Sequence, residues 1–276
     1  MDLSVATAEL PGPRPGYLVR PARAEGPLPG VIVIQEIWGV DGHIQDVAAR
    51  LATAGYAVLA PALFAQGGSL PPALLPERVE RVKRFLDTVP PQAWAVLPDP
   101  ARRAELLLSL PEQERAFLNE TLAAIFPADR GPQLAGWIRD LGEIARWLRG
   151  SPHCRGRRVG AVGFCMGGAL AAQLAAEDPG LAAAVVFYGA PPPADRLPRI
   201  ACPVQAHFGA EDPRLVAQLP AFEQGMRAAG KALELFVYPG APHAFFNDTR
   251  RSFHLEAARD AWARTLGFLA SRLGPA

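Results

Sequence analysis

Residues 159–168 have the sequence Val-Gly-Ala-Val-Gly-Phe-Cys-Met-Gly-Gly, and an alanine-rich run follows them. The apolar start predicts a strand, the glycine-flanked centre a sharp turn, and the alanine-rich part a helix. This is the setting of the G-x-S-x-G motif, here with Cys165 where serine usually stands. Gly163 and Gly167 let the turn close without steric clash, so the turn should lift the Cys165 side chain off the sheet edge. The N–H groups at the start of the helix then face the sulfur and favour the thiolate.

Elsewhere, short apolar runs alternate with segments of helical periodicity. Strands that are apolar throughout, alternating with helices, predict a mostly parallel, doubly wound sheet covered on both faces, which is an α/β fold. The predicted strands are residues 31–34, 56–60, 159–163, 184–188, 204–208 and 233–238, with residues 17–20 as an edge strand, and the predicted helices are residues 41–54, 134–148, 167–177, 220–229 and 255–273.

The region from about residue 66 to residue 130 departs from this alternation because it contains no good strand. Its many prolines separate short helical pieces such as residues 77–87 and 111–125. We therefore expect a single domain over residues 1–276 with a helical insertion. The insertion is either a lid over the sheet edge or a stabilising or dimer-forming elaboration.

Composition excludes some classes of partner. Lys and Arg number 28 and Asp and Glu 27, for a net charge of +1, which argues against nucleic acid or a membrane surface held by bulk charge. Three cysteines do not form a disulfide framework and suit a reducing cytoplasm. No signal peptide and no apolar stretch long enough to span a bilayer is visible. We expect a cytoplasmic monomer or homodimer.

A cysteine nucleophile needs a base to take its proton and an acid to hold that base. His243 and Asp212 each follow a predicted strand, so both are expected at the same edge of the sheet as Cys165. Glu211 competes with Asp212, which we favour because it lies deeper in its turn. The order cysteine, acid, histidine is that of α/β-hydrolases. It argues against the plainer interpretation of the motif, an inert thiol in a tight strand–helix joint.

An oxyanion hole follows from the same geometry. One donor should be the backbone N–H of Met166, directly after the nucleophile. The other should come from the loop after the strand at residues 31–34, where we favour the N–H of Ile37. Four aromatic residues either line an apolar pocket for substrate or belong to the core: Trp38, Phe164, Tyr188 and Phe245.

Five segments of the chain form a joint pattern: residues 163–168, 17–21, 33–39, 55–61 and 239–245. Together they resemble the dienelactone hydrolase family, the carboxymethylenebutenolidases. The resemblance implies the α/β-hydrolase fold and hydrolysis of an ester or lactone, and it covers most of the chain except the insertion. It also implies a role for Glu36, which would hydrogen-bond the resting thiol and the histidine side of the site and take part in forming the thiolate.

The sequence departs from the family at one position. Members that act on dienelactone resemble one another in an arginine four residues after the histidine, which holds the substrate carboxylate, and this chain has Asn247 there. Arg250 or Arg251 could replace it, and a second such arginine could come from the insertion. The candidates in the insertion are Arg78, Arg81 and Arg84.

The sequence therefore predicts a hydrolase that cleaves a small-molecule ester or lactone with Cys165 as nucleophile and His243, oriented by Asp212, as acid and base. No cofactor or metal is implied, because no His, Cys or carboxylate cluster has ligand spacing. One alternative is a promiscuous carboxylesterase or thioesterase. Another, from a different class, is a non-catalytic redox sensor whose exposed Cys165 is oxidised reversibly.

Overall fold

The structure is a computed structural model that describes residues 2–12 and 14–274. The chain forms two compact units. One comprises the described residues up to Leu63 together with those from Trp137 onwards, and the other comprises residues 64–136. The first unit contains the sheet, and the second is built from helices.

The first unit contains an eight-stranded sheet with the order β1-β2-β4-β3-β5-β6-β7-β8. The first two strands form an antiparallel hairpin, β2 also pairs antiparallel with β4, and the remaining neighbours are parallel. This confirms the predicted, mostly parallel sheet. The strands are β1 Leu3–Glu9, β2 Pro15–Pro21, β3 Gly30–Ile34, β4 Ala57–Pro61, β5 Val159–Phe164, β6 Ala184–Phe187, β7 Val204–Gly209 and β8 Leu233–Tyr238.

The central strands are apolar because both of their faces are covered. Every residue of β3, β4, β5, β6 and β7 is buried, as expected for parallel strands between helices. The prediction that residues 17–20 form an edge strand is wrong, because β1 lies outside β2. Most residues of β1 are exposed, so it lacks the apolar run by which the other strands were recognised.

Helices connect the strands of the first unit. The first of them begins at the carboxylate of Asp41, which accepts the N–H of Ile44 over 3.1 Å, and such capping satisfies an N–H that the helix leaves open. Gly55, with a φ of 101°, follows its end. The helices of this unit are α1 Gly42–Thr53, α6 Met166–Glu177, α7 Pro213–Val216, α8 Leu219–Ala228 and α9 Leu255–Leu273, and the second unit leads into it through α5 Gly131–Gly150.

Within the first unit, Arg14 connects the point where the chain leaves the sheet to the point where it returns. Its guanidinium donates to the carbonyl of Leu63 over 2.5 Å and pairs with the carboxylate of Asp140 over 2.8 Å. The side-chain oxygen of Gln35 accepts the N–H of Leu63 over 3.1 Å. The backbone of Leu63 is thus held on both its N–H and its carbonyl.

The second unit contains the helices α2 Pro76–Leu86, α3 Pro100–Leu107 and α4 Glu112–Ile125. Arg78 and Arg81 of α2 bind α4, through Glu120 at 2.7 Å and Glu114 at 2.5 Å respectively. Both guanidinium groups also lie over the ring of Phe117. These two arginines, proposed above as ligands for a substrate carboxylate, therefore serve the packing of the helical unit.

In the part of the chain that the structure describes, none of the helices has the length and apolar character needed to cross a membrane.

Candidate active site

Cys165 lies at the joint between β5 and α6, in a backbone conformation that residues with a side chain rarely adopt. Its φ is 53° and its ψ is −115°. Such conformations cost about 1–3 kcal/mol and persist only where the surrounding structure fixes them. Here the N–H of Cys165 donates to the carbonyl of Phe187 over 3.0 Å, and its carbonyl accepts the N–H of Ala169 over 3.2 Å. The joint holds the partly exposed thiol in front of α6.

The joint depends on two residues without side chains. A Cβ on Gly163 would lie 1.9 Å from the carbonyl oxygen of Gly167, and a Cβ on Gly167 would lie 2.2 Å from the carbonyl oxygen of Ile34. No side chain fits at such distances. The start of α6 can therefore approach both its own strand and the end of β3 closely.

The side chains of Cys165, His243 and Asp212, predicted as nucleophile, base and acid, meet at the carboxyl edge of the sheet. His243 Nε2 lies 3.2 Å from the Sγ of Cys165, and His243 Nδ1 lies 2.6 Å from the Oδ2 of Asp212. The other carboxylate oxygen of Asp212 accepts the N–H of Leu215 over 3.3 Å. The alternative acid, Glu211, is exposed. The structure therefore forms a chain of contacts from carboxylate to imidazole to thiol.

The charges in this chain of contacts stabilise one another. Burial alone would lower the pKa of His243, but the charge of the Cys165 thiolate and the hydrogen bond to Asp212 outweigh it and raise that pKa to about 10. Burial likewise opposes ionisation of Asp212, yet the hydrogen bond and charge of His243 lower its pKa below the ordinary value. The arrangement therefore favours the imidazolium form of His243 at neutral pH.

The other two cysteines differ sharply from Cys165. Cys154 and Cys202 are buried, and burial raises the pKa of each thiol to about 12. Buried thiols in such surroundings stay protonated and inert.

The two predicted backbone donors belong to segments that adjoin Cys165 in the chain or in the sheet. Met166 is the first residue of α6, and helix geometry points its N–H along the axis at the N-terminal end. Ile37 follows β3, which pairs with β5. Among the described residues, the N–H of Ile37 has no hydrogen-bond acceptor, so it can donate to a ligand.

Glu36 makes hydrogen bonds other than those that the resemblance implies. The residue is 2% exposed, and its carboxylate accepts the hydroxyl of Tyr188 over 3.2 Å and the side-chain amide of Asn247 over 2.8 Å. In the described residues it makes no hydrogen bond to Cys165 or His243. In the sequence, Asn247 is notable only because it stands where an arginine is expected. Its place on the histidine loop was visible, but no local pattern shows that it contacts the loop after β3.

Two of the four predicted substrate contacts belong to the core instead. Phe164 and Phe245 have no exposed surface, and Phe164 stacks on Phe187 with ring centroids 4.7 Å apart. Of the two alternatives given for them above, a pocket or the core, the burial of both side chains favours the core. Tyr188 is 1% exposed and Trp38 is 6% exposed.

Arg250 and the exposed Arg251 are the two arginines on the histidine loop that could bind a substrate carboxylate. The guanidinium of Arg250 lies over the ring of Trp38, 5.4 Å from its centroid. This is a cation–π contact. In residues 2–12 and 14–274, no group of three or more His, Cys, Asp or Glu side chains is arranged to hold a metal ion.

A model of the dienelactone hydrolase family matches residues 15–273 of the chain. The chain belongs to this family. Relatives from this family align with about 90% of the chain. A provisionally named carboxymethylenebutenolidase of Saccharolobus solfataricus is 35% identical over 249 residues, which cover 90% of this chain and 91% of that protein. One from Escherichia coli strain K12 is 31% identical over 266 residues, covering 91% of this chain and 80% of that protein.

Solved dienelactone hydrolase structures have the same fold. The crystal structure of a provisionally named dienelactone hydrolase from Klebsiella pneumoniae is 30% identical and superposes with a TM-score of 0.70, covering 98% of this chain and 99% of that chain. The predicted α/β-hydrolase fold is thereby confirmed. As a dienelactone hydrolase family member, the protein is a carboxylic ester hydrolase of the ester or lactone type.

Proposed function

We propose that the protein hydrolyses a small-molecule ester or lactone with Cys165 as the nucleophile and His243 and Asp212 completing a catalytic triad. The observation that carries this proposal is the continuous set of contacts from Asp212 through His243 to Cys165, at 2.6 Å and 3.2 Å. These distances are within reach of proton transfer and of orientation by a carboxylate.

Acylation begins with attack of the Cys165 thiolate on the substrate carbonyl carbon. The new C–S bond pushes the carbonyl electron pair onto oxygen, and the N–H groups of Ile37 and Met166 stabilise that oxyanion. Collapse of the tetrahedral intermediate breaks the C–O bond of the ester. The His243 imidazolium gives its proton to the leaving alkoxide, which departs as an alcohol.

Deacylation uses the same groups in reverse. Neutral His243 takes a proton from water while the water oxygen attacks the thioester carbon, and a second oxyanion forms in the same hole. Its collapse breaks the C–S bond and releases the carboxylic acid. The thiolate–imidazolium pair is restored, with Asp212 holding the imidazole in position throughout.

A trapped acyl-enzyme tests this mechanism. We expect brief mixing with p-nitrophenyl acetate, followed by acid quenching, to leave one acetyl group on the peptide that contains Cys165, detectable by mass spectrometry. A Cys202→Ala variant is the matched control and should give the same adduct, since that thiol is buried. Release of p-nitrophenol without any adduct on Cys165 would contradict the proposal, and a redox sensor would give neither turnover nor adduct.

A broad carboxylesterase or thioesterase is the second candidate, and Asn247 favours it. Its side chain is fully buried and engaged with Glu36 and Thr249, so it offers no positive charge to a substrate carboxylate. We expect kcat/KM to be no higher for esters that carry a carboxylate next to the scissile bond than for matched esters without one. A clear preference for the carboxylate-bearing members would restore the dienelactone substrate and point to Arg250 or Arg251. The cytoplasmic location and the monomeric or homodimeric state stay predictions.

A further inference from the structure

Glu36 is a buried carboxylate that the triad does not use. Both of its oxygens accept hydrogen bonds, from the hydroxyl of Tyr188 and the side-chain amide of Asn247. Among the described residues, no Lys, Arg or His side chain forms an ion pair with it. A carboxyl group out of contact with water is costly to bury unless hydrogen bonds satisfy it. Glu36 therefore binds its two donors tightly and constrains the segments that carry them.

Asn247 connects Glu36 to the loop that carries His243, four residues earlier. The N–H and the hydroxyl of Thr249 both donate to the Oδ1 of Asn247, at 3.1 and 2.6 Å. These donors settle the orientation of the amide, so its NH₂ group faces Glu36. The backbone N–H of Asn247 also donates to the carbonyl of Ala244 over 3.0 Å. The amide is thus fixed at both ends, and the loop is fixed with it.

The histidine loop needs such a constraint because it contains a strained residue. Ala244, directly after His243, has a φ of 60°, in the left-handed region that residues other than glycine seldom occupy. A conformation of this kind relaxes unless neighbouring contacts hold it. The bond from Asn247 to Glu36 supplies one such contact three residues further along the chain.

Tyr188 connects Glu36 to the ring of His243. Its φ is 39°, and its ring packs edge-on against the ring of His243 with centroids 5.2 Å apart. Burial, followed by the charges of Glu36 and Cys165, raises the pKa of Tyr188 well above its ordinary value. The hydroxyl therefore stays protonated and donates to Glu36 at every pH at which the protein works.

We propose that Glu36 is a positioning residue: it accepts hydrogen bonds from Asn247 and Tyr188 and thereby fixes the imidazole of His243 against Cys165. This role rests on the proposed function of those two residues. It differs from proton exchange with the thiol, since both oxygens of Glu36 are already engaged and the Sγ of Cys165 contacts His243 instead.

The test compares Glu36→Ala, which removes both acceptor oxygens, with Asn247→Ala and the double variant. We measure kcat and KM for p-nitrophenyl acetate from pH 6 to pH 11. Each single variant should lower kcat about 10- to 100-fold with little change in KM, because the reacting groups lose alignment. The kcat of the double variant should be no lower than that of the less active single variant, since both changes break the bond between Asn247 and Glu36.

The pH profile separates positioning from a loss of folded protein. Cys165 and Asp212 contact His243 directly and raise its pKa, while Glu36 acts on His243 only through Tyr188 and Asn247. A loosened loop weakens the contact with Cys165, so the upper limit of activity should move to lower pH in each variant. A smaller folded fraction would lower activity equally at every pH.

Three outcomes overturn the proposal: full activity of folded Asn247→Ala, additive losses in the double variant, or an unchanged pH limit. If Asn247→Ala does not fold, Tyr188→Phe takes its place, because this change keeps the ring and removes only the hydroxyl. Tyr188→Phe should also lower kcat and move the upper pH limit of activity to lower pH. If neither quantity changes, the proposal is overturned. Asp248→Asn, an exposed neighbour on the loop, is the control with unchanged activity. Failure of the proposed function itself would give a different result, namely ester hydrolysis that survives the removal of Cys165.

Discussion

Replacing Cys165 with alanine is expected to lower kcat for p-nitrophenyl acetate by about 10,000-fold or more, because the removal of one triad member leaves only oxyanion stabilisation and binding. The variant keeps a β-carbon at φ 53°, so it places no new strain on the joint. KM should change much less than kcat, since the thiol forms its bond to substrate only during the reaction.

The control for this variant is Cys202→Ala, which removes a thiol whose pKa burial raises to about 12. It should retain full activity, apart from any loss of stability from the small cavity it leaves. If Cys165→Ala hydrolyses the ester at the normal rate while folded, another group is the nucleophile. The proposed function then fails, whatever the geometry of the three side chains.

Replacing Asp212 with asparagine is expected to lower kcat about 10,000-fold as well, with the shape of the site kept. The carboxylate contacts His243 Nδ1 at 2.6 Å, and the neutral amide can neither stabilise the imidazolium nor enforce the productive tautomer. The two effects act on the same histidine, so the loss should appear in kcat at every pH.

The same variant should also change the pH dependence. The charge of Cys165 and the hydrogen bond to Asp212 raise the pKa of His243 to about 10, so the native enzyme should keep its general acid up to about that pH. Without the carboxylate this pKa falls, and the upper limit of activity moves to lower pH. Glu211→Gln is the matched control because Glu211 is adjacent and exposed. Equal losses in both variants would show that Asp212 has no special role.

The strands of the sheet were largely predictable because burial on both faces leaves a continuous apolar run. Residues 204–208, predicted as a strand, lie within β7, in which every residue is buried. The hairpin strand β1 was not predicted, since its exposed residues alternate too weakly to mark a strand. Its existence depends on pairing with β2, a contact that local sequence does not encode.

The candidate site was predictable where chemistry follows a strand. Asp212 and His243 were found because parallel strands bring their carboxyl ends to one edge of the sheet. The partners of Glu36 were missed for the opposite reason. Asn247 and Glu36 are separated by 211 positions in the chain, and an asparagine in a loop gives no sign of which carboxylate it will meet. For Phe164 the sequence left a pocket and the core as alternatives, because strand alternation alone does not show which ring faces the interior.

The contacts of Arg14 have a consequence for how this sequence can vary. One guanidinium holds both Leu63 and Asp140, so the chain leaves the sheet unit and rejoins it at neighbouring points. Lengthening a flexible segment between two fixed points costs only about 0.6 kcal/mol per doubling. Insertions and deletions between Leu63 and Asp140 therefore change a loop whose two ends are fixed by contacts within the sheet unit. In evolutionary terms, residues 64–136 occupy a position where whole helices can be gained, lost or exchanged.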